Sequence, residues 1–210
     1  MAMPIRVEEV TTIEQLWALP EDGLRHELLD GVHVVTPAPG YRHQAVLIEF
    51  VAVLKTALGA SDELKLLSSP ADIRFGPRTL VQPDLFVFRK EPGRPVRGWP
   101  DVGVPVLAIE FLSPSTAARD RNTKRRIYQR AGVAEYWIVD TDARVVERWR
   151  HDDIRPEILD EKLTWAPPEI AAPIVLDLPT LFTAALGALP PPPTGSPRAR
   201  GGRRRSAGTA

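Results

Sequence analysis

The chain has 210 residues, enough for one domain with a sizeable core, and its 43% hydrophobic and 26% charged residues make an ordinary globular mixture. It contains no cysteine, which excludes disulfides, zinc–thiolate centres and thiol catalysis. The formal net charge of zero is uneven, because Arg198, Arg200, Arg203, Arg204 and Arg205 lie in 188–210 without one acid and leave the body of the chain net negative.

In chain order, Thr11 and Glu14 have capping-box spacing and predict a short helix that ends before Pro20. LRHELLDGVHVV (24–35) predicts a β-hairpin turning at Asp30-Gly31. After a Pro-Ala-Pro-Gly loop, residues 43–58 read as a helix with Gly59 at its C-cap and a broad apolar face that includes Val46, Phe50 and Leu54. Strands follow at 63–67, 71–75 and 80–88, and 91–103 is a Pro/Gly-rich loop. VPVLAIEFL (104–112) is the pattern of a strand covered on both faces, stopped by Ser113-Pro114.

A helix over 116–131 and the strand EYWIVD (135–140) complete a strand–helix–strand unit, which implies a parallel pair. Residues 143–150 read as a half-exposed strand, and 173–187 as a strand and a short helix closing the domain. The expected organisation is a domain over 1–187 and a disordered Pro/Gly/Arg-rich tail over 188–210, which either solubilises the protein or holds nucleic-acid phosphates. The opening MAMPIRVEEV lacks a signal-type apolar run and no stretch is long enough to span a bilayer, so a cytoplasmic protein with no membrane partner is expected.

Glu110 is the anomaly, a carboxylate inside an apolar strand, where it must be protonated, paired or bound to a cation. Asp84 opens a second apolar run, QPDLFVF, on a strand expected to lie beside the first. Two such carboxylates, with the Phe111 carbonyl as a third oxygen, suit Mg²⁺ or Mn²⁺, which would acidify a water and neutralise charge on a phosphate. The competing reading makes Asp84 a turn cap after Pro83 and Glu110 the partner of an arginine. Asp120, Lys124 and Tyr128 share one helix face, and Lys124 either reaches this site or makes a solvated pair with Asp120. Glu27 is either a further ligand or a hairpin surface residue, and His43 either a phosphate contact or a surface histidine. The four histidines have no zinc spacing, SPST (113–116) lacks the nucleophile-elbow pattern, and no phosphate-binding glycine loop is present.

HELLDG (26–31), QPDLFVF (82–88), LAIEFLSPST (107–116), then Asp120, Lys124, Tyr128 and AGVAEYWIVD (131–140) resemble the Uma2 family, formerly a domain of unknown function, assigned to the PD-(D/E)XK nuclease superfamily. The resemblance covers about residues 10–187. It implies an α/β, restriction endonuclease-like fold: a mixed central sheet flanked by helices, with the N-terminal helix and hairpin in front. It also implies a Mg²⁺-dependent DNA endonuclease, often a homodimer, with Asp84 and Glu110 as metal ligands and Glu27 and Lys124 completing the catalytic set. The chain departs from the superfamily pattern at Leu112, where the strand lysine would stand, so Lys124 from the following helix must supply the amine. The alternative is a non-catalytic nucleic-acid- or protein-binding module on the same fold, and the reach of the Lys124 amine separates the two. On an acidic body, Arg121, Arg125, Arg126 and the tail are the expected phosphate contacts.

Overall fold

The computed structural model describes residues 10–59, 61–91 and 93–189. The arginine cluster of the tail lies outside them. The chain runs through α1 (Ile13–Trp17), the hairpin β1 (Arg25–Leu29) and β2 (Val32–Thr36), and the long helix α2 (Tyr41–Leu58). Next come β3 (Leu64–Ser68), the two-residue strands β4 (Ile73–Arg74) and β5 (Leu80–Val81), β6 (Leu85–Arg89) and β7 (Leu107–Phe111). One helical stretch follows, made of α3 (Ala117–Arg119), a π-turn over Asp120–Lys124 and α4 (Arg125–Arg130). The chain then forms β8 (Glu135–Asp140), β9 (Val145–Arg150), β10 (Glu157–Leu159), β11 (Lys162–Trp165), β12 (Ile174–Asp177) and α5 (Leu178–Leu186).

The apolar runs assemble into a six-stranded sheet ordered β10-β9-β8-β7-β6-β3. β7 and β8 are parallel, as a strand–helix–strand unit requires, and the other pairs are antiparallel. Alternation along β7 sends Leu107, Ile109 and Phe111 to the α2/α5 side, where Phe50 meets Phe111 edge-on at 5.3 Å between ring centroids. Ala108 and Leu112 face the other side, packed with Phe86, Phe88, Ile127, Tyr128 and Tyr136. Each such fully buried large side chain contributes about 2 kcal/mol of transfer free energy. β1 belongs to a second sheet, β2-β1-β5-β4, whose hairpin turns through positive φ at Asp30 (54°) and Gly31 (86°). Any Cβ at Gly31 would collide with the Arg78 guanidinium, and the Gly31 amide donates to the Arg78 carbonyl at 2.7 Å.

Several expectations shift in detail. The capping box is formed by Thr12 and Gln15, one residue on from Thr11 and Glu14, because Thr12 is the residue with extended backbone. The expected strand 80–88 breaks at Gln82-Pro83-Asp84, since proline cannot donate to a ladder, and its halves join different sheets. β9 is mostly buried rather than half-exposed, because it lies inside the sheet between β8 and β10. β10 is short and lacks alternating hydrophobicity, and β11, although it alternates as Lys162-Leu163-Thr164-Trp165, is only four residues long, so neither stands out in the sequence. No described helix is long and apolar enough to cross a membrane.

Candidate active site

Leu85 pairs with Ile109, so Asp84, one residue earlier, comes level with Glu110 across the β6–β7 seam. Glu27, on β1, enters from the second sheet, and its Oε1 accepts the Gln82 backbone amide at 2.7 Å. Lys124 comes from the π-turn, an insertion that re-phases the following helix and recurs at functional sites. Its ammonium is fully buried, 2.9 Å from Glu27 Oε1 and in direct contact with Glu110 Oε1. These are charge contacts rather than aligned hydrogen bonds, because Nζ has no partner at hydrogen-bonding angles. The Tyr128 hydroxyl donates to Glu110 Oε1 at 3.0 Å, and the Phe111 amide donates to Asp84 Oδ2 at 2.9 Å. Asp120, on the same helix face, is also buried. The structure thus brings together all of Glu27, Asp84, Glu110 and Lys124, and neither a hairpin-surface Glu27 nor a solvated Lys124 matches their burial.

Two further side chains belong to the cluster. His43, from the first turn of α2, meets Asp84 Oδ2 through Nε2 at 2.9 Å. Arg25 donates from Nη1 to Asp84 Oδ1 at 2.6 Å, and its Nη2 lies 3.9 Å from both Glu27 and Glu110. The period of two along β1 puts Arg25 and Glu27 on one face, a signal that could have found the arginine from sequence. No such local pattern identifies the contact of His43. A groove of about 920 Å³ opens above the cluster, and Arg25, His43, Asp84, Glu110, Ser115 and Thr116 are among its lining residues. Arg121 and Arg125 are committed elsewhere: Arg121 to Glu147 and Asp140 at 2.6 and 3.0 Å, Arg125 over the Trp149 ring at 4.7 Å.

Burial dominates the electrostatics. It pushes Glu110 up to about 8, helped by the Asp84 and Asp120 charges and opposed by Lys124 and Arg25. Burial would also raise Asp84, but the hydrogen bond and charge of His43, then Arg25 and the Phe111 amide, hold it well below the usual carboxylate range. Glu27 is lowered, the Lys124 and Arg25 charges outweighing its burial. Burial acts to lower Lys124, yet the charges of Glu110, Glu27 and Asp120 prevail and keep it an ammonium. Glu110 leans neutral beside a lysine held charged first because burial penalises its carboxylate, and then because the charges of Asp84 and Asp120 add to that penalty. Asp84, Glu27, Glu110 and Asp120 outnumber Arg25 and Lys124, so the cluster lacks positive charge.

That deficit fits a divalent cation, and so does Glu27 Oε2, buried without a hydrogen-bond partner. Among the described residues no three His, Cys, Asp or Glu side chains form a ready cage around one point. Mg²⁺ needs no such cage, since one or two carboxylates and waters commonly hold it.

The Uma2 family model, described as "Putative restriction endonuclease", matches residues 13–179. No curated protein matches the chain. A solved structure similar in fold comes from Anabaena variabilis, a protein described as "a putative nuclease belonging to DUF820" and determined at 1.96 Å. It superposes with a TM-score of 0.69 at 23% identity, over 83% of this chain and 99% of that one.

Proposed function

The chain belongs to the Uma2 family, and on that premise we propose that it is a Mg²⁺- or Mn²⁺-dependent nuclease hydrolysing phosphodiester bonds in DNA. The observation that carries this reading is the buried Lys124 ammonium in contact with Glu110 and Glu27, with Asp84 across the seam. Asp84 and Glu110 would hold the cation. Such an ion supplies an acidified water and a counter-charge for the phosphate.

The protein's own groups do the rest. His43 and the Phe111 amide orient Asp84, which sharpens the ligand set. Lys124, kept protonated by its acidic neighbours, acts as a fixed positive charge for the phosphorane-like transition state or orients the attacking water. It is not the general base in this arrangement. Glu27 positions Lys124 through their 2.9 Å contact. Leu112, buried in the apolar layer, takes no part, and the amine arrives from the helix instead.

The test is cleavage of supercoiled plasmid and of single-stranded DNA with Mg²⁺ or Mn²⁺, comparing wild type with Asp84→Ala, Glu110→Ala and Lys124→Ala. Cleavage by wild type and its loss in the variants supports hydrolysis at this site. Equal activity in all preparations would overturn it. No cleavage by any of them favours the non-catalytic binding module, a reading that draws on the contacts Arg25 and Lys124 already make with Asp84 and Glu110.

A further inference from the structure

Arg25 has no role in that mechanism, yet its guanidinium stands between Asp84, Glu27 and Glu110, where a cation shared by these carboxylates would sit. It fits the place badly. A guanidinium carries five donors in a rigid fork, suited to bidentate pairing with one carboxylate. Here Nη1 is aligned on Asp84, Nη2 is 3.9 Å from its nearest acids, and Nε is buried with no partner. Glu27 Oε2, which it faces, has none either. Nη2 stops 3.9 Å short of that bare Glu27 oxygen because a planar cation fills a space whose oxygens converge from three directions. Arg25 is also the member of the cluster with an exit, since its side chain is 21% exposed and lines the groove, whereas Lys124 is sealed in.

We propose that Arg25 is a displaceable counter-ion that closes the cation seat in the metal-free protein and must leave it, into the groove, before a divalent ion can bind. The inference rests on the metal-dependent reading of the site. Without metal, the guanidinium keeps three facing carboxylates from repelling one another in a dry environment. A small divalent ion replaces it because it can draw on oxygens that the fork cannot reach together. Metal affinity is therefore set partly by what Arg25 loses on leaving, and weakening its hold strengthens metal binding by linkage.

Calorimetric titration of Mn²⁺ into wild type, Arg25→Gln and Arg119→Gln tests this. Arg119 is a control cation on the neighbouring helix, whose Nη2 donates to Thr36 Oγ1 at 3.0 Å outside the seat. Arg25→Gln is expected to bind Mn²⁺ roughly tenfold more tightly than wild type, within the usual range of coupling between two bound groups, while Arg119→Gln stays near wild type. Equal affinity in all three overturns the displacement and leaves the nuclease reading standing. Equal tightening in both variants also overturns it, because general charge removal would then be the cause. Absence of Mn²⁺ binding in every preparation overturns the metal reading itself. If Arg25→Gln fails to fold by circular dichroism, the side-chain Nε–H resonance of Arg25 in wild type serves instead. It is expected to move on addition of Mg²⁺, and a stationary signal overturns the proposal.

Discussion

Two arginines, each set among acids at a sheet, show how differently a charge can be held. Arg148, inside the main sheet, places Nε and Nη2 on Glu157 at 3.1 and 2.6 Å and Nη1 on the Thr164 carbonyl at 2.8 Å. Every donor group of that guanidinium has a partner, and the contact spans β9, β10 and β11 as a structural clip. Arg25 meets more acids and is satisfied by fewer: one aligned bond to Asp84, a buried Nε without a partner, and a bare Glu27 oxygen 3.9 Å from Nη2. A structural ion pair is saturated. Around Arg25 the unfilled capacity lies where the oxygens of Glu27 on β1, Asp84 just before β6 and Glu110 on β7 converge.

The largest expected effects strike the unsaturated cluster. Asp84→Ala or Glu110→Ala should lower DNA cleavage by about a thousandfold or more, measured as initial rates on plasmid, since each removes a cation ligand or its charge. Lys124→Ala should do the same and in addition destabilise the fold by roughly 3–5 kcal/mol in urea unfolding, because it strands buried carboxylates. Lys124→Met should recover part of that stability without recovering cleavage, and recovery of both would end the case for the amine.

The next effect is a pH dependence. Glu110 binds its proton more tightly folded than unfolded, with a folded value of about 8 against the ordinary 4.5. Its contribution to stability is therefore complete below about 4.5 and declines as pH rises toward 8. Asp84, lowered from the ordinary 3.8, acts oppositely but below this window, as pH falls. Melting of protein kept in a chelator should thus show stability falling between pH 5 and 8, and Glu110→Gln should flatten the slope. An unchanged slope in the variant would place the titration elsewhere. Tyr128→Phe, which removes the hydroxyl donated to Glu110, should cost about 1–2 kcal/mol in the same assay. Smallest in its effect on cleavage, Arg148→Ala should leave the wild-type rate because it lies away from the groove, while costing about 1–3 kcal/mol as a buried guanidinium gives up its hydrogen bonds.

Much of the site could be read in the chain itself. Glu110 declared itself by its cost, a carboxylate in a run of residues that bury both faces of a strand. Asp84 did so by opening the next such run after a proline, and the i, i+4 series Asp120, Lys124, Tyr128 by pointing one way from a helix that had to pack on that strand. Arg25 and His43 carried weaker signals, because their contacts with Asp84 join residues 59 and 41 positions apart. Of the basic side chains expected as phosphate contacts, Arg121 and Arg125 have partners that the local sequence does not reveal. Acids on β8 and β9 and the Trp149 ring, all distant in sequence, occupy them.

The sequence by itself determined the period of the main strands and helices, the parallel β7–β8 unit, and which face of a strand or helix carries Glu110 and Lys124. These follow from local spacing, two residues per repeat in a strand and nearly four in a helix. Only the tertiary structure decided how the hairpin docks on the main sheet, and with it that Glu27 clamps Lys124 while Arg25 covers the carboxylates. That docking balances desolvation against charge over long sequence separations. No local pattern encodes such a balance, and it is the balance that leaves the cluster short of positive charge.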